Sequence, residues 1–139
     1  MKKICLVLGA ALLVACSAKE PSISLGGDRD NHGCRGSAGY TWSHTRQACL
    51  RLWEDGITLV PVNPEGAALV AFAVESGNYA RMEIFLPGKP KPFVLQQTGD
   101  DHDDWTSPVS DWKLRNTGKT WELLEKNTLR YKSKETKTN

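Results

Sequence analysis

The side chains able to do chemistry are few in this chain, and no two sets of them stand close in sequence. The densest set is Asp100, Asp101, Asp103 and Asp104 around His102, between Gly99 and Trp105. Carboxylates packed this closely offer hard oxygen ligands of the kind Ca²⁺ takes, but the spacing is not that of an EF-hand loop and no Glu closes it at the required distance. The bland reading is a solvated acidic loop. A calcium site and an electrostatic docking patch for a basic partner are the functional alternatives, and the expectation is that no metal is bound. His32, His44 and His102 stand apart from one another, and none is paired with an obvious nucleophile. The chain has no Gly-x-Ser-x-Gly elbow, His-Glu-x-x-His, phosphate loop or dinucleotide fingerprint. It is therefore expected to be no enzyme and to need no cofactor. The cysteines are Cys5, Cys16, Cys34 and Cys49. They lack a Cys-x-x-Cys spacing and a histidine at ligand distance, so a zinc site is a weak reading.

The N-terminus has a different chemistry. Met1-Lys2-Lys3 is a short cationic start, residues 4–14 are apolar apart from Gly9, and Leu13-Val14-Ala15-Cys16 follows. Charge, length and small cleavage-site residues make this a secretory signal. Its ending resembles the bacterial lipobox, Leu-(Ala/Ser/Val)-(Gly/Ala)-Cys. The resemblance implies cleavage after residue 15, diacylation of the Cys16 thiol (palmitate-type chains) and acylation of the new amino group. Several acyl chains hold a protein stably, since each buried CH₂ contributes about 0.8 kcal/mol. Ser17 follows the cysteine where inner-membrane retention resembles Asp, so the expected address is the outer membrane, on its periplasmic or surface face. With Cys5 removed and Cys16 lipidated, Cys34 and Cys49 remain in an oxidising compartment, where they most simply pair. The closed loop of about 15 residues would contribute about 3 kcal/mol by loop entropy.

Those two cysteines sit in Cys34-Arg35-Gly36-Ser37-Ala38-Gly39-Tyr40-Thr41-Trp42 and Cys49-Leu50-Arg51-Leu52-Trp53-Glu54. The pair resembles a motif of secreted bacterial proteins, Cys-x-x-Ser-Ala-Gly-Tyr-x-Trp followed by Cys-x-Arg-x-(Trp/Phe)-Glu. Many instances carry a further cysteine where this chain has Ser43. The motif implies no activity. The expectation is a disulfide-stapled cap with Tyr40, Trp42 and Trp53 as its small core. Ser43 could N-cap a helix running through Trp53 and closed by Gly56, or Cys49, Arg51 and Trp53 could alternate as a strand.

Ser76-Gly77-Asn78-Tyr79 resembles the Ser-Gly-x-Tyr loop of bacterial lysozyme inhibitors, small exported β proteins that insert this loop into the enzyme's cleft. Carried over, Ser76 and Tyr79 would be the inserted residues and Gly77 the turn that lets them approach. Both hydroxyls can donate hydrogen bonds to the two carboxylates of a glycosidase cleft. The ordinary alternative is a plain turn, with Tyr79 starting a strand into the core. Charge bears on the partner. The printed chain carries a formal net charge of +2, but that surplus is Lys2 and Lys3, which leave with the signal. From residue 16 to 112 there are 8 basic and 13 acidic residues, and from 113 to the end 8 basic and 3 acidic. A body of net −5 favours a basic partner such as lysozyme. The +5 end suits anionic lipid, and no nucleic acid is expected. Three function classes follow: an envelope-anchored inhibitor or binding module; a structural or assembly lipoprotein contacting another envelope protein; and, well behind, an unrecognised hydrolase.

The elements that must position these groups read as short strands. The chain has 139 residues, 40% of them hydrophobic, with 5 Trp, which suffices for one domain core. No apolar stretch reaches the roughly 18 residues of a spanning helix. Residues 17–33 are polar and Gly/Ser/Asp-rich, a tether spanning about 20–25 Å. After Gly56 the period is two, with strands expected over 57–62, 69–75, 79–86, 93–97, 112–115, 120–124 and 128–132. In 79–86, Ala80, Met82, Ile84 and Leu86 share one face, and Arg81 and Glu83 the other. Residues 69–75 are nearly all apolar and read as buried on both faces. The organisation expected is a signal peptide (1–15), a lipidated tether (16–33), one β domain (34–132) and a charged tail (133–139). The fold class is mostly β: a small antiparallel barrel or sandwich with a disulfide-stapled N-terminal segment and at most one short helix.

Overall fold

The period-two segments after Gly56 are strands of one closed antiparallel barrel. The computed structural model describes residues 27–64 and 69–135. Four short elements come first: a 3₁₀ turn (Gly36–Ala38), β1 (Thr41–Ser43), β2 (Ala48–Leu50) and a single helical turn α1 (Leu52–Asp55). The barrel follows as β3 (Ile57–Pro61), β4 (Ala71–Glu75), β5 (Arg81–Phe85), β6 (Phe93–Thr98), β7 (Asp104–Thr106), β8 (Trp112–Asn116), β9 (Trp121–Glu125) and β10 (Thr128–Lys132). Each strand pairs with its neighbour in sequence. Closure is made by β10 against β3, where Tyr131 faces Pro61 and Lys132 faces Val60.

One side of each strand fills the interior. Leu59, Ala71, Ala73, Met82, Ile84, Leu95, Trp105, Leu114 and Leu123 are buried in one cluster, and Phe93, Trp112 and Tyr131 pack against it. Each large side chain taken fully from water contributes about 1.5–3 kcal/mol. A bulge between Leu129 and Tyr131 serves closure: Leu129 pairs with Leu124, but Tyr131 pairs with the core residue Leu123. The extra residue turns Tyr131 inward when a regular strand would have put it on the face of Leu129. Outside, Lys113, Arg115, Glu122 and Lys132 form ion pairs. An apolar interior with a charged exterior is the reverse of a membrane barrel. Among the described residues no helix is long and apolar enough to cross a membrane.

Three strand expectations shift. β7 is an additional strand inside what reads as an acidic loop. Tyr79 and Ala80 leave β5, because Tyr79 has φ +59°, a left-handed conformation outside the β region. Leu69 lies outside β4 and is exposed. The apolar run of β4 is nevertheless covered on both faces. Ala71 and Ala73 point inward, while Val74, paired with Glu83 in register, is buried on the outside under the N-terminal cap.

That cap combines a hairpin and a helical turn. Cys34 and Cys49 form a disulfide with a Cα–Cα distance of 5.4 Å. α1 is closed by the Gly56 N–H donating to Leu52 O at 3.0 Å, and Ser43 ends β1 without capping a helix. Arg51 explains much of the cysteine motif. Its guanidinium carbon lies 4.7 Å from the centre of the Tyr40 ring, its Nε donates to Ala38 O and it pairs with Glu54. Gly39 has φ +78°, and a Cβ there would meet the Trp53 ring at 2.0 Å, so only glycine lets that ring lie where it does. The three aromatics are not a buried core. Trp53 is 56% exposed and Tyr40 37%, and Trp42 stacks on His32 at 4.3 Å. The cap's buried residues are Cys34, Ser43 and Thr45.

Residues 28–33, assigned by composition to the tether, are bound into this cap. Asp28 accepts hydrogen bonds from the Ser37 hydroxyl and N–H, which hold its carboxyl below the ordinary range. Asp30 accepts from the N–H groups of His32 and Cys34. The signal segment 1–15, Cys16, the tether to residue 26 and the tail's last residues, 136–139, lie outside the described residues.

Candidate functional site

The β4–β5 loop is built by its own side chains. The Ser76 hydroxyl donates to Asn78 Oδ1 at 2.8 Å and accepts from the Arg81 N–H at 3.1 Å. Asn78 Oδ1 also accepts from the Ala80 N–H, and Glu75 accepts from the Gly77 N–H. With Gly77 at φ +91° and Tyr79 at φ +59°, the loop reverses tightly and leans over the barrel mouth. Two bonds fasten it there. The indole Nε1 of the core residue Trp105 donates to Tyr79 O at 2.5 Å, and the Gln97 N–H donates to Ala80 O at 2.9 Å. The backbone of Tyr79 is thus tied to the barrel core while its side chain remains 51% exposed. Tyr79 neither starts a strand nor turns inward. Ser76 is half-buried with its proton committed to Asn78, so it shapes the loop instead of presenting a free donor.

Sequence gives no hint that the acidic run shares this end of the barrel, but the topology places it there. β6 leads up beside β5 and β7 descends, so the β6–β7 turn of residues 99–103 stands next to the 76–79 tip. Gln97 ties the two: its N–H meets Ala80 O and its side-chain amide donates to His102 O at 3.0 Å. The Asn116 N–H holds Asp103 O at 2.8 Å. Asp104 differs from the other three carboxylates, since it belongs to β7 and pairs with Lys113 at 2.5 Å and Arg115 at 3.2 Å. Burial alone would raise its pKa, but hydrogen bonds and charge from Lys113 and Arg115 outweigh that and hold it below the ordinary value. Asp100, Asp101 and Asp103 are exposed and make no ion pair among the described residues. Asp101, Asp103 and Asp104 border a shallow depression on the rim together with Arg115. Among the described residues no three His, Cys, Asp or Glu side chains are grouped to hold a metal.

The cap reaches the same rim from the other side. Glu83, on the outer face of β5, is fully buried beneath it. Its carboxylate accepts from Ser43 Oγ (2.5 Å), Thr45 Oγ1 (3.0 Å), the His44 N–H (3.1 Å) and the Thr45 N–H (3.3 Å). One residue further, Arg46 pairs with Glu75 at 3.0 Å, immediately before the tip. Charge-assisted bonds of this kind are the strong ones, and a buried carboxylate without them would be costly. Trp105, Glu83 and Arg46 are the positioning residues that sequence reasoning passes over. Only Trp105 leaves a signal, as the single apolar residue between polar Asp104 and Thr106.

The fold and site define a class: a small closed antiparallel barrel with a disulfide-stapled cap, presenting a tyrosine-tipped loop beside an acidic turn. No protein-family model, curated protein or solved structure matches this chain significantly.

Proposed function

We propose that the chain is a non-catalytic binding module, anchored to the outer membrane through acylated Cys16, that blocks a basic glycosidase of the lysozyme type by inserting Tyr79 into its cleft. The observation that carries this reading is the presentation of Tyr79, a half-exposed phenol on backbone pinned by Trp105. A phenol hydroxyl can donate to a cleft carboxylate and offers no bond for the enzyme to cleave. Holding it in place beforehand spares the ordering cost of binding. Asp100, Asp101 and Asp103 on the same rim would speed encounter with a cationic enzyme and make it salt-sensitive. Ser76 and Gly77 serve by shaping the loop. The anchor rests on the N-terminal sequence.

The test is inhibition of hen-type, goose-type and invertebrate-type lysozymes by the purified protein at micromolar concentration. Inhibition of one type, weakened at least about 30-fold by Tyr79→Ala without loss of folding, is expected, a hot-spot aromatic being worth about 2 kcal/mol or more. No inhibition of any type sinks the reading. A second reading, an assembly lipoprotein contacting another envelope protein, is favoured by the exposed Trp53 and Tyr40 on the cap. It predicts co-purification of a specific envelope partner that is lost when Cys34 is replaced, and intact co-purification would count against it.

A further inference from the structure

The cap and the tip are joined by one chain of polar contacts. The β1–β2 turn is clamped to the barrel by Glu83, with His44 and Thr45 as donors. The next residue, Arg46, sends its guanidinium to one oxygen of Glu75 at 3.0 Å. The other Glu75 oxygen accepts the Gly77 N–H at the root of the tip. Arg46 also runs alongside Gly77, 3.7 Å from where a Cβ would stand. Behind the turn, β1 and β2 share only three register pairs, and one of them, Trp42 with Cys49, carries the disulfide. So short a hairpin has no independent stability. What holds Arg46 in reach of Glu75 is therefore the Cys34–Cys49 staple together with the Glu83 clamp.

We propose that this hairpin is the positioning element of the 76–79 tip, with Arg46 as its positioning residue, so that partner binding is coupled to the redox state of Cys34–Cys49. The binding half of the statement rests on the reading of the tip as the binding element. A dithiol reductant breaks the S–S bond, supplying two electrons and two protons. Two cysteine thiols form, and the reductant closes into its own disulfide. The hairpin loosens, Arg46 leaves Glu75, and the Gly77 N–H loses an acceptor whose orientation the ion pair had fixed.

The experiment is solvent-exchange NMR on the purified protein, reading the Gly77 amide against the core amides of Leu95 and Leu114. In the oxidised protein Arg46→Ala should speed Gly77 exchange roughly 2- to 5-fold, the range expected for losing a partly exposed ion pair. Arg46→Lys, which keeps the charge, should restore most of the protection, whereas Arg46→Met, which keeps the stem without the charge, should not. Dithiothreitol should speed Gly77 exchange at least as much as Arg46→Ala while Leu95 and Leu114 stay protected, and any lysozyme inhibition should weaken by a similar factor. Unchanged Gly77 exchange in Arg46→Ala overturns the proposal. If reduction also releases the core amides, the redox coupling through the hairpin is overturned, because the whole domain has loosened, and the Arg46 variants then judge the positioning alone. A wild-type protein that inhibits no lysozyme overturns the binding reading, and Gly77 exchange then judges the positioning by itself.

Discussion

Replacing Glu83 with leucine tests how the cap is held more directly than any change in the cap itself. The carboxylate lies on the outer face of β5 with no exposure and takes four hydrogen bonds. Leucine keeps the volume and removes every acceptor. The Ser43 and Thr45 hydroxyls can still bond to each other, since their oxygens already lie 3.2 Å apart. The His44 and Thr45 N–H groups have no such recourse and would be buried unpaired, at about 1–3 kcal/mol each. The cost to the docked cap is therefore about 2–6 kcal/mol. The cap can limit that cost by lifting off and letting water in, so the loss should appear locally before it appears in global unfolding. Amide exchange separates the two. Protection at His44 and Thr45 should fall by roughly 30-fold or more, since every 1.4 kcal/mol is a factor of ten. Protection at Leu95 and Leu114 should change far less. Glu83→Gln should fall between wild type and leucine, because its amide nitrogen would face a donor. Cap protection unchanged in Glu83→Leu would refute the clamp, and full wild-type protection in Glu83→Gln would show that one acceptor oxygen suffices.

Two further outcomes follow from single contacts. Gly39→Ala should destabilise the cap by about 1–3 kcal/mol, combining overpacking against Trp53 with left-handed strain. Gly118→Ala is its control, having the same φ of +78° with nothing within 4 Å of the added carbon, so a smaller loss there isolates the Trp53 contact, and equal losses would contradict it. Asp104→Asn should reduce stability at neutral pH by under about 1 kcal/mol, as for other partly exposed ion pairs. Because the folded pKa of Asp104 is depressed, its contribution is present above the ordinary value of 3.8 and is lost as pH falls through the folded value. Urea unfolding across a pH series should show the wild-type advantage shrinking below about pH 4, and an advantage that grows on acidification would contradict the assignment.

Local pattern made most of the barrel legible, and closure made the site. The strands from Ile57 onward announce themselves by alternation, and the meander of β8–β10 by its turn residues, because each depends on neighbours a few positions away. Barrel against sandwich could not be decided that way. The difference is the pairing of β10 with β3, some seventy residues apart, where Tyr131 meets Pro61. β7 was hidden because Asp104 reads with the acidic run, while in the fold Lys113 and Arg115 on the next strand pair with it. Glu83 carries no signal at all: an acid on the polar face of an alternating strand is ordinary until a second layer covers it. The same holds for Ser76. Its hydroxyl reads as a functional group in the sequence, and becomes a loop-shaping one once Asn78 and the Arg81 N–H are seen to occupy it. What moves from inference to geometry is the company Tyr79 keeps. Two features that sequence could only treat separately, the Ser-Gly-Asn-Tyr turn and the aspartate run, stand on one rim because β6 and β7 carry the second beside the first. A barrel mouth closed from beneath by Trp105 and flanked by the cap through Arg46 then gives a rigid tip with an acidic neighbour. That arrangement makes a cationic, cleft-bearing partner a sharper hypothesis than either motif supports alone.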